Sequence, residues 1–110
     1  MRTWVSQLRK GLVELCVLGA LDDGEAYGYE ILQRLARADN LAITESTVYP
    51  ILVRLAKEGV LEVRVAPSPS GPPRRYYHLT DAGRARLGEM HRYWHDLTAA
   101  VDSLLSGEKP

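Results

Sequence analysis

Ser46-Thr47-Val48-Tyr49-Pro50-Ile51-Leu52-Val53-Arg54-Leu55-Ala56-Lys57-Glu58-Gly59 is followed at once by Val60-Leu61-Glu62-Val63-Arg64-Val65-Ala66, and the change of period between them decides the fold. In the first stretch Val48, Ile51, Leu52 and Leu55 recur at i, i+3, i+4 and i+7, the apolar stripe of an amphipathic helix. Ser46, Pro50, Val53 and Lys57 fall opposite, with Tyr49 and Arg54 on the flanks. Thr44 or Ser46 can cap the helix, and Gly59 stands where a C-terminal glycine belongs. Pro50 falls in the first or second turn, where a missing N–H costs less than at mid-helix. In the second stretch the period drops to two: Leu61, Val63 and Val65 alternate with Glu62, Arg64 and Ala66, as in a half-buried strand.

Working outward, Pro67-Ser68-Pro69-Ser70-Gly71-Pro72-Pro73 is expected to exclude regular structure. Arg74 to Leu79 resumes an extended pattern, so the two strands form a hairpin with a long proline-rich tip. Thr80 caps a last helix in which Leu87, Met90, Trp94, Leu97, Val101 and Leu104 recur at 3- and 4-residue steps, a heptad seam that seeks another helix. Upstream, Trp4 to Leu21 is expected to be one helix, apolar nearly all round and therefore buried on more than one face. Ala26 to Ala38 forms a second, with Tyr27, Ile31 and Leu35 inward and Glu30, Gln33, Arg34 and Arg37 left to solvent. The resulting order, a helix pair followed by a β-hairpin, is that of a winged helix-turn-helix. The fold is mainly α with a small β-hairpin: residues 1–79 form the winged helix-turn-helix unit, 80–106 a C-terminal dimerisation helix, and 107–110 a tail.

One hundred and ten residues suffice for one small core, and 45% hydrophobic with 25% charged residues suits a folded protein. Fourteen bases balance fourteen acids, which excludes a uniformly basic nucleic-acid binder. The zero hides an arrangement, however: residues 1–10 carry +3, 11–45 carry −5, 46–86 carry +4 and 87–110 carry −2. The basic middle coincides with the third helix and the hairpin. Cys16 alone cannot close an intrachain disulfide, and no basic leader with a cleavage site is apparent, so a cytoplasmic protein is expected. The apolar run Leu12–Leu21 contains Glu14 and is too short to span a membrane.

The sequence resembles the PadR-like transcriptional regulators, specifically their short members. The resemblance rests on Gln7-Leu8-Arg9-Lys10-Gly11 with Leu15-Cys16-Val17-Leu18, on Tyr27-Gly28-Tyr29-Glu30-Ile31, on Ser46-Thr47-Val48-Tyr49-Pro50-Ile51-Leu52 with Arg54-Leu55, and on Gly71-Pro72-Pro73-Arg74-Arg75-Tyr76-Tyr77 with Leu79-Thr80. These four motifs, in order, cover nearly the whole chain. The resemblance implies a winged-helix DNA-binding domain, a single C-terminal dimerisation helix and repression of nearby genes. It also implies that some short members bind planar compounds at the dimer interface.

Candidate DNA contacts are Tyr29, Ser46, Thr47, Tyr49, Arg54, Lys57, Ser70, Arg74 and Arg75: hydroxyls at a helix N-terminus and cations beside them suit phosphate. Tyr27, on the apolar stripe, is assigned to the core. Leu8, Leu12, Leu87, Met90, Trp94, Leu97, Val101 and Leu104 are the candidate dimer interface. Trp94, with flexible Met90 one turn before it, could wall a site for a flat aromatic effector. His91 and His95 share a helix face but no local Cys, Asp or Glu completes a metal set, so neither metal nor cofactor is expected. No nucleophile or acid–base pair suggests an enzyme. The expectation is a homodimeric repressor that binds a palindromic operator and is released by a small ligand. The competing reading is a ligand- or protein-binding module that keeps the fold with little DNA affinity.

Overall fold

The structure, a computed structural model, describes residues 3–107. Beyond Gly107, the expected tail lies outside the described residues, as do residues 1 and 2. In chain order the elements are α1 (Thr3–Lys10), α2 (Val13–Leu21), β1 (Ala26–Tyr27), α3 (Gly28–Leu35), a 3-10 turn (Asp39–Leu41), α4 (Glu45–Lys57), β2 (Leu61–Ser68), β3 (Gly71–Leu79) and α5 (Asp81–Ser106). The protein is mainly helical with a small antiparallel sheet of order β1-β3-β2. A helix-turn-helix formed by α3 and α4 packs against this sheet, and the long β2–β3 hairpin is its wing.

The core is the meeting point of three helical stripes and one sheet face. Val17 and Leu18 of α2, Ile31 of α3, and Val48, Leu52 and Leu55 of α4 are fully buried, closed over by Leu61, Tyr77 and Leu79. The expected α4 stripe is present, except that Ile51 is only partly buried at the edge of the core. Burying a large apolar side chain stabilises by about 1.5–3 kcal/mol, so this cluster fixes how α4 is rotated about its axis.

Four local expectations need correction. The single helix over Trp4–Leu21 is two helices, broken at Gly11-Leu12, where Leu12 takes the N-cap of α2 and its N–H bonds back to the Arg9 carbonyl. Gly11 is a poor helix former, and α1 buries none of its residues, so core packing does not hold the two segments collinear. Second, α3 starts at Gly28 rather than Ala26, because Ala26 and Tyr27 pair with Tyr77 and Tyr76 as an edge strand. Tyr27 is therefore off the helical stripe and outside the core. Third, the prolines do not abolish the hairpin: strand pairing reaches Ser68 and Gly71, leaving Pro69-Ser70 as the tip. Pro67 sits at a register shift in edge strand β2, where no ladder N–H is required of it. Fourth, Arg34 is not a solvent residue. Its guanidinium donates to the Ala20 and Gly24 carbonyls at 3.0 and 2.8 Å, closing the C-terminal end of α2.

Helix α5 is anchored at its first turn and projects from there. The Thr80 hydroxyl accepts the Gly83 N–H and donates to the Gly59 carbonyl, joining the N-terminus of α5 to the end of α4. Leu87 and Met90 pack against the core, whereas the rest of the seam does not. The radius of gyration, 16.1 Å, exceeds the roughly 13 Å of a compact domain of this length because α5 extends beyond the body.

Gly83 and Gly88 lie in the same helix and make opposite predictions. A Cβ on Gly83 would run into the Val60 carbonyl oxygen, whereas Gly88 faces open space. Gly83→Ala is expected to cost about 2–3 kcal/mol through overpacking against backbone. Gly88→Ala is expected to gain about 0.5–1 kcal/mol of helix propensity. Urea unfolding of the two variants beside the wild type checks both signs.

Candidate nucleic-acid interface

The buried stripe of α4 turns the opposite face of that helix outward, and the first turn presents Ser46 and Thr47 beside the N-cap Thr44. The Thr44 hydroxyl lies 3.1 Å from that of Ser46 and 3.4 Å from that of Thr47, a cluster of small donors at the positive end of the helix. Both residues line a cleft of about 650 Å³ that Arg9 and Lys10 of α1 enter from the other side. Arg9 there donates through Nε to the Asn40 carbonyl.

Tyr49, one turn further on, leans onto the start of α3. A Cβ on Gly28 would lie 2.5 Å from the Tyr49 ring, so this close approach depends on glycine or on a displaced ring. Burial, and after it the Glu45 carboxylate, pushes the Tyr49 phenol up from its ordinary value, so at neutral pH it is an uncharged O–H donor. Tyr49 lines a second cleft of about 330 Å³ with Tyr27, Gly28, Tyr29, Pro73, Arg74, Arg75 and Tyr77. Four of the sequence-predicted contacts, Tyr29, Tyr49, Arg74 and Arg75, are thus brought from three elements to one concavity. Arg75 shares the face of β3 that carries Tyr77 but lies beyond the core and is exposed. Arg74 is on the other face, its guanidinium carbon 4.3 Å from the centroid of the Tyr27 ring.

The remaining candidates are spread apart. Ser70 sits at the exposed wing tip, and Lys57 is exposed in the last turn of α4. Arg54 is engaged elsewhere, in an ion cluster joining three helices. It donates to Glu14 of α2 at 2.6 Å and to Glu58 at 2.9 Å, while Arg86 of α5 donates to Glu58 at 2.7 Å and contacts Glu14 at 3.5 Å. Residues not singled out from the sequence also shape the surface. Arg64 and Tyr76 lie on the outer face of the hairpin beside Tyr27, and a period of two, with Val63 and Tyr77 inward, puts both outward.

A third concavity lies between α2 and α5. It holds about 540 Å³ and is lined by Gly11, Leu12, Leu15, Glu89, Met90, Tyr93, Trp94 and Leu97, so Trp94 and Met90 do share one apolar wall. Beyond it the seam is bare: Trp94 is 39% exposed, Val101 44% and Leu104 83%, and on α1 Leu8 is 68% exposed. Among the described residues no group of three or more His, Cys, Asp or Glu is placed to hold a metal ion. Nor is any described helix long and apolar enough to cross a membrane.

The model of the family described as "Transcriptional regulator PadR-like family" matches residues 17–89. The chain belongs to the PadR-like family of transcriptional regulators. It is 35% identical over 97 residues to the transcriptional regulator Rv3488 of Mycobacterium tuberculosis, covering 86% of this chain and 87% of that protein. A PadR-like transcriptional regulator from Bacillus cereus has 37% identity and a TM-score of 0.79, covering 93% of this chain and 99% of that one. Bacillus subtilis PadR, solved in complex with operator DNA, has 27% identity and a TM-score of 0.65 over 72% of this PadR-like chain and 46% of its own.

The ion cluster gives a pH prediction. Hydrogen bonds from Arg86 and then Arg54 hold the Glu58 carboxyl below its ordinary value. A depressed folded-state pKa contributes stability that is present above the unfolded value, about 4.3 for glutamate, and lost as pH falls through the folded one. Glu58→Gln should therefore unfold at lower urea than the wild type at pH 7, and the gap should close as the pH is taken below about 4. Parallel urea titrations from pH 7 to pH 3 measure it.

Proposed function

We propose that this PadR-like regulator acts as a homodimer that binds a palindromic operator in double-stranded DNA, represses the adjoining gene, and is released by a small planar aromatic ligand. The observation that carries the reading is the convergence of Tyr29, Tyr49, Arg74 and Arg75 on one cleft between α3, α4 and the wing. Such a cleft offers phenolic O–H donors and guanidinium forks to phosphate, with the hydroxyls of Ser46 and Thr47 at the N-terminus of α4 to extend the contact. In this reading α4 enters the major groove, Lys57 and Ser70 contact the flanking backbone, and Arg54 holds α4 in place instead of touching DNA. That the Bacillus subtilis relative was solved with operator DNA supports the assignment.

Residues 1–79 then form the DNA-binding unit and 80–106 the dimerisation helix, with Leu8 of α1 and Leu12 at the N-cap of α2 contributing to the same interface. The bare seam supports this: burial of Trp94, Leu97, Val101 and Leu104 against a second copy would stabilise by about 1.5–3 kcal/mol for each large side chain. Two α4 helices related by a twofold axis would read half-sites about 34 Å apart. The apolar cleft beside Trp94 and Met90 is the proposed effector site, and cytoplasmic work follows from a DNA partner.

Fluorescence anisotropy with DNA from the gene's own upstream region tests the reading. Binding should weaken steeply with salt, and Arg74→Ala/Arg75→Ala should flatten the dependence by about 0.9 in log–log slope for each phosphate that the variant no longer neutralises. Salt-indifferent affinity, or none at low salt, would instead favour a binding module with little use for DNA. For the dimer, Val101→Glu should give a monomer in light scattering at micromolar concentration and lose operator binding with it. A dimeric Val101→Glu variant would contradict the proposed interface.

A further inference from the structure

One face of the wing carries a connected series of side chains that ends in the DNA-facing cleft but begins outside it. Arg64 of β2 grips Glu25 with both arms of its fork, Nε to Oε2 at 3.0 Å and Nη2 to Oε1 at 2.7 Å. The Arg64 guanidinium carbon then lies 4.8 Å from the centroid of the Tyr76 ring. Tyr76 meets Tyr27 edge to face, centroids 5.5 Å apart with 68° between planes. Arg74 lies over Tyr27 at 4.3 Å. The strand register explains why the four side chains line up: Tyr76 is opposite Arg64 on one side and Tyr27 on the other, and Arg74 is two residues along the same face of β3. The far end is itself anchored, since Arg34 donates to the Gly24 carbonyl and contacts that of Glu25, holding the backbone that carries the carboxylate.

We propose that Glu25 and Arg64 are positioning residues for Arg74: they orient its guanidinium for DNA without touching DNA themselves. The inference rests on the DNA-binding reading above. A long arginine near a hairpin tip is ordinarily free over many rotamers, and ordering it on binding costs affinity. Here the bidentate fork fixes the Arg64 plane, Arg64 fixes the Tyr76 ring, and the T-shaped contact with Tyr76 fixes the Tyr27 ring on which Arg74 rests. Arg74 thus meets phosphate partly pre-ordered. Neither Glu25, Arg64 nor Tyr76 lines the cleft.

Charge and position predict opposite signs for one substitution. Glu25 is an acid on a molecule that binds a polyanion, so its neutralisation should by charge alone tighten DNA binding. If Glu25 positions Arg74, Glu25→Gln weakens binding instead. Operator affinity over a range of salt should be measured for the wild type, Glu25→Gln, Arg74→Ala and the double variant. Glu25→Gln is expected to lose roughly 2- to 10-fold per half-site, the range spanned by ordering one long side chain, with the salt slope unchanged. Arg74→Ala should lower both affinity and slope, and the double variant should match Arg74→Ala alone. Equal or tighter binding by Glu25→Gln, or additive losses in the double variant, would overturn the proposal. If Glu25→Gln does not fold, Arg64→Lys, which keeps the charge but not the fork, is expected to show the same loss. Should the wild type bind no DNA, the regulatory reading fails first, and NMR still decides the series. The Arg74 Nε–H proton should be shifted upfield by the Tyr27 ring in the wild type and return towards its free value in Glu25→Gln; a resonance that does not move overturns it.

Discussion

Three fully buried residues on one helix, Val48, Leu52 and Leu55, constrain everything else that matters here. They key α4 into the core at a single rotation, so that its first-turn hydroxyls and Tyr49 must emerge where α3 and the wing also reach the surface. A helix free to roll would scatter these groups. Because cores are packed like crystals rather than oil, the rotation is held firmly, and the position of Tyr49 against Gly28 follows from it. The cleft shared by α3, α4 and the wing is therefore a consequence of packing on the hidden side of the same helix.

A second constraint acts at the other end of α4. Glu58 closes the helix and is shared between Arg54 of its own last turns and Arg86 of α5, with Glu14 of α2 completing the cluster. Ion pairs this exposed contribute little stability singly, but a four-membered set spanning three helices defines their relative placement. It joins the base of α5, one turn before Met90, to the helix that carries the candidate contacts. Together with the Val60 carbonyl lying over Gly83, it sets the direction in which α5 leaves the body.

What was legible in the sequence was whatever repeats locally. The α4 stripe and the α5 helix are periodicities within a few turns and are present, Ile51 only partly buried; the alternation of β2 holds for Leu61 and Val63 and lapses at Val65, which is 60% exposed where the strand runs past the core. Apart from the break at Gly11, which is local, the departures are long-range or depend on a neighbour. Tyr27 reads as a helical core residue until Tyr76, 49 positions away, pairs with it as a strand. Arg34 reads as solvent-facing until the end of α2 arrives beneath it. Arg54 reads as a candidate contact because the cluster that engages it joins its local i+4 partner Glu58 to Glu14, 40 residues upstream, and to Arg86 of α5. The proline-rich tip reads as irregular because composition does not reveal which strand edges lack a neighbour, and those are where proline is tolerated. Of the candidate contacts, the four that converge come from three separate segments, and their convergence required the fold.

The distribution of charge takes on a different meaning once partners are known. Residues 46–86 carry seven bases, but Arg54, Arg64 and Arg86 are matched by Glu14, Glu25 and Glu58, and Arg84 pairs with Asp81. Among the described residues of that segment, Lys57, Arg74 and Arg75 are left without a carboxylate. Phosphate attraction scales with the number of cations free to neutralise it, so in this segment the pairing leaves three of the seven bases for that use. Where those three are held then matters more than how many there are: on the proposal above Arg64, spent on Glu25, positions Arg74, while Arg54 and Arg86, spent on Glu14 and Glu58, fix the helix beside it.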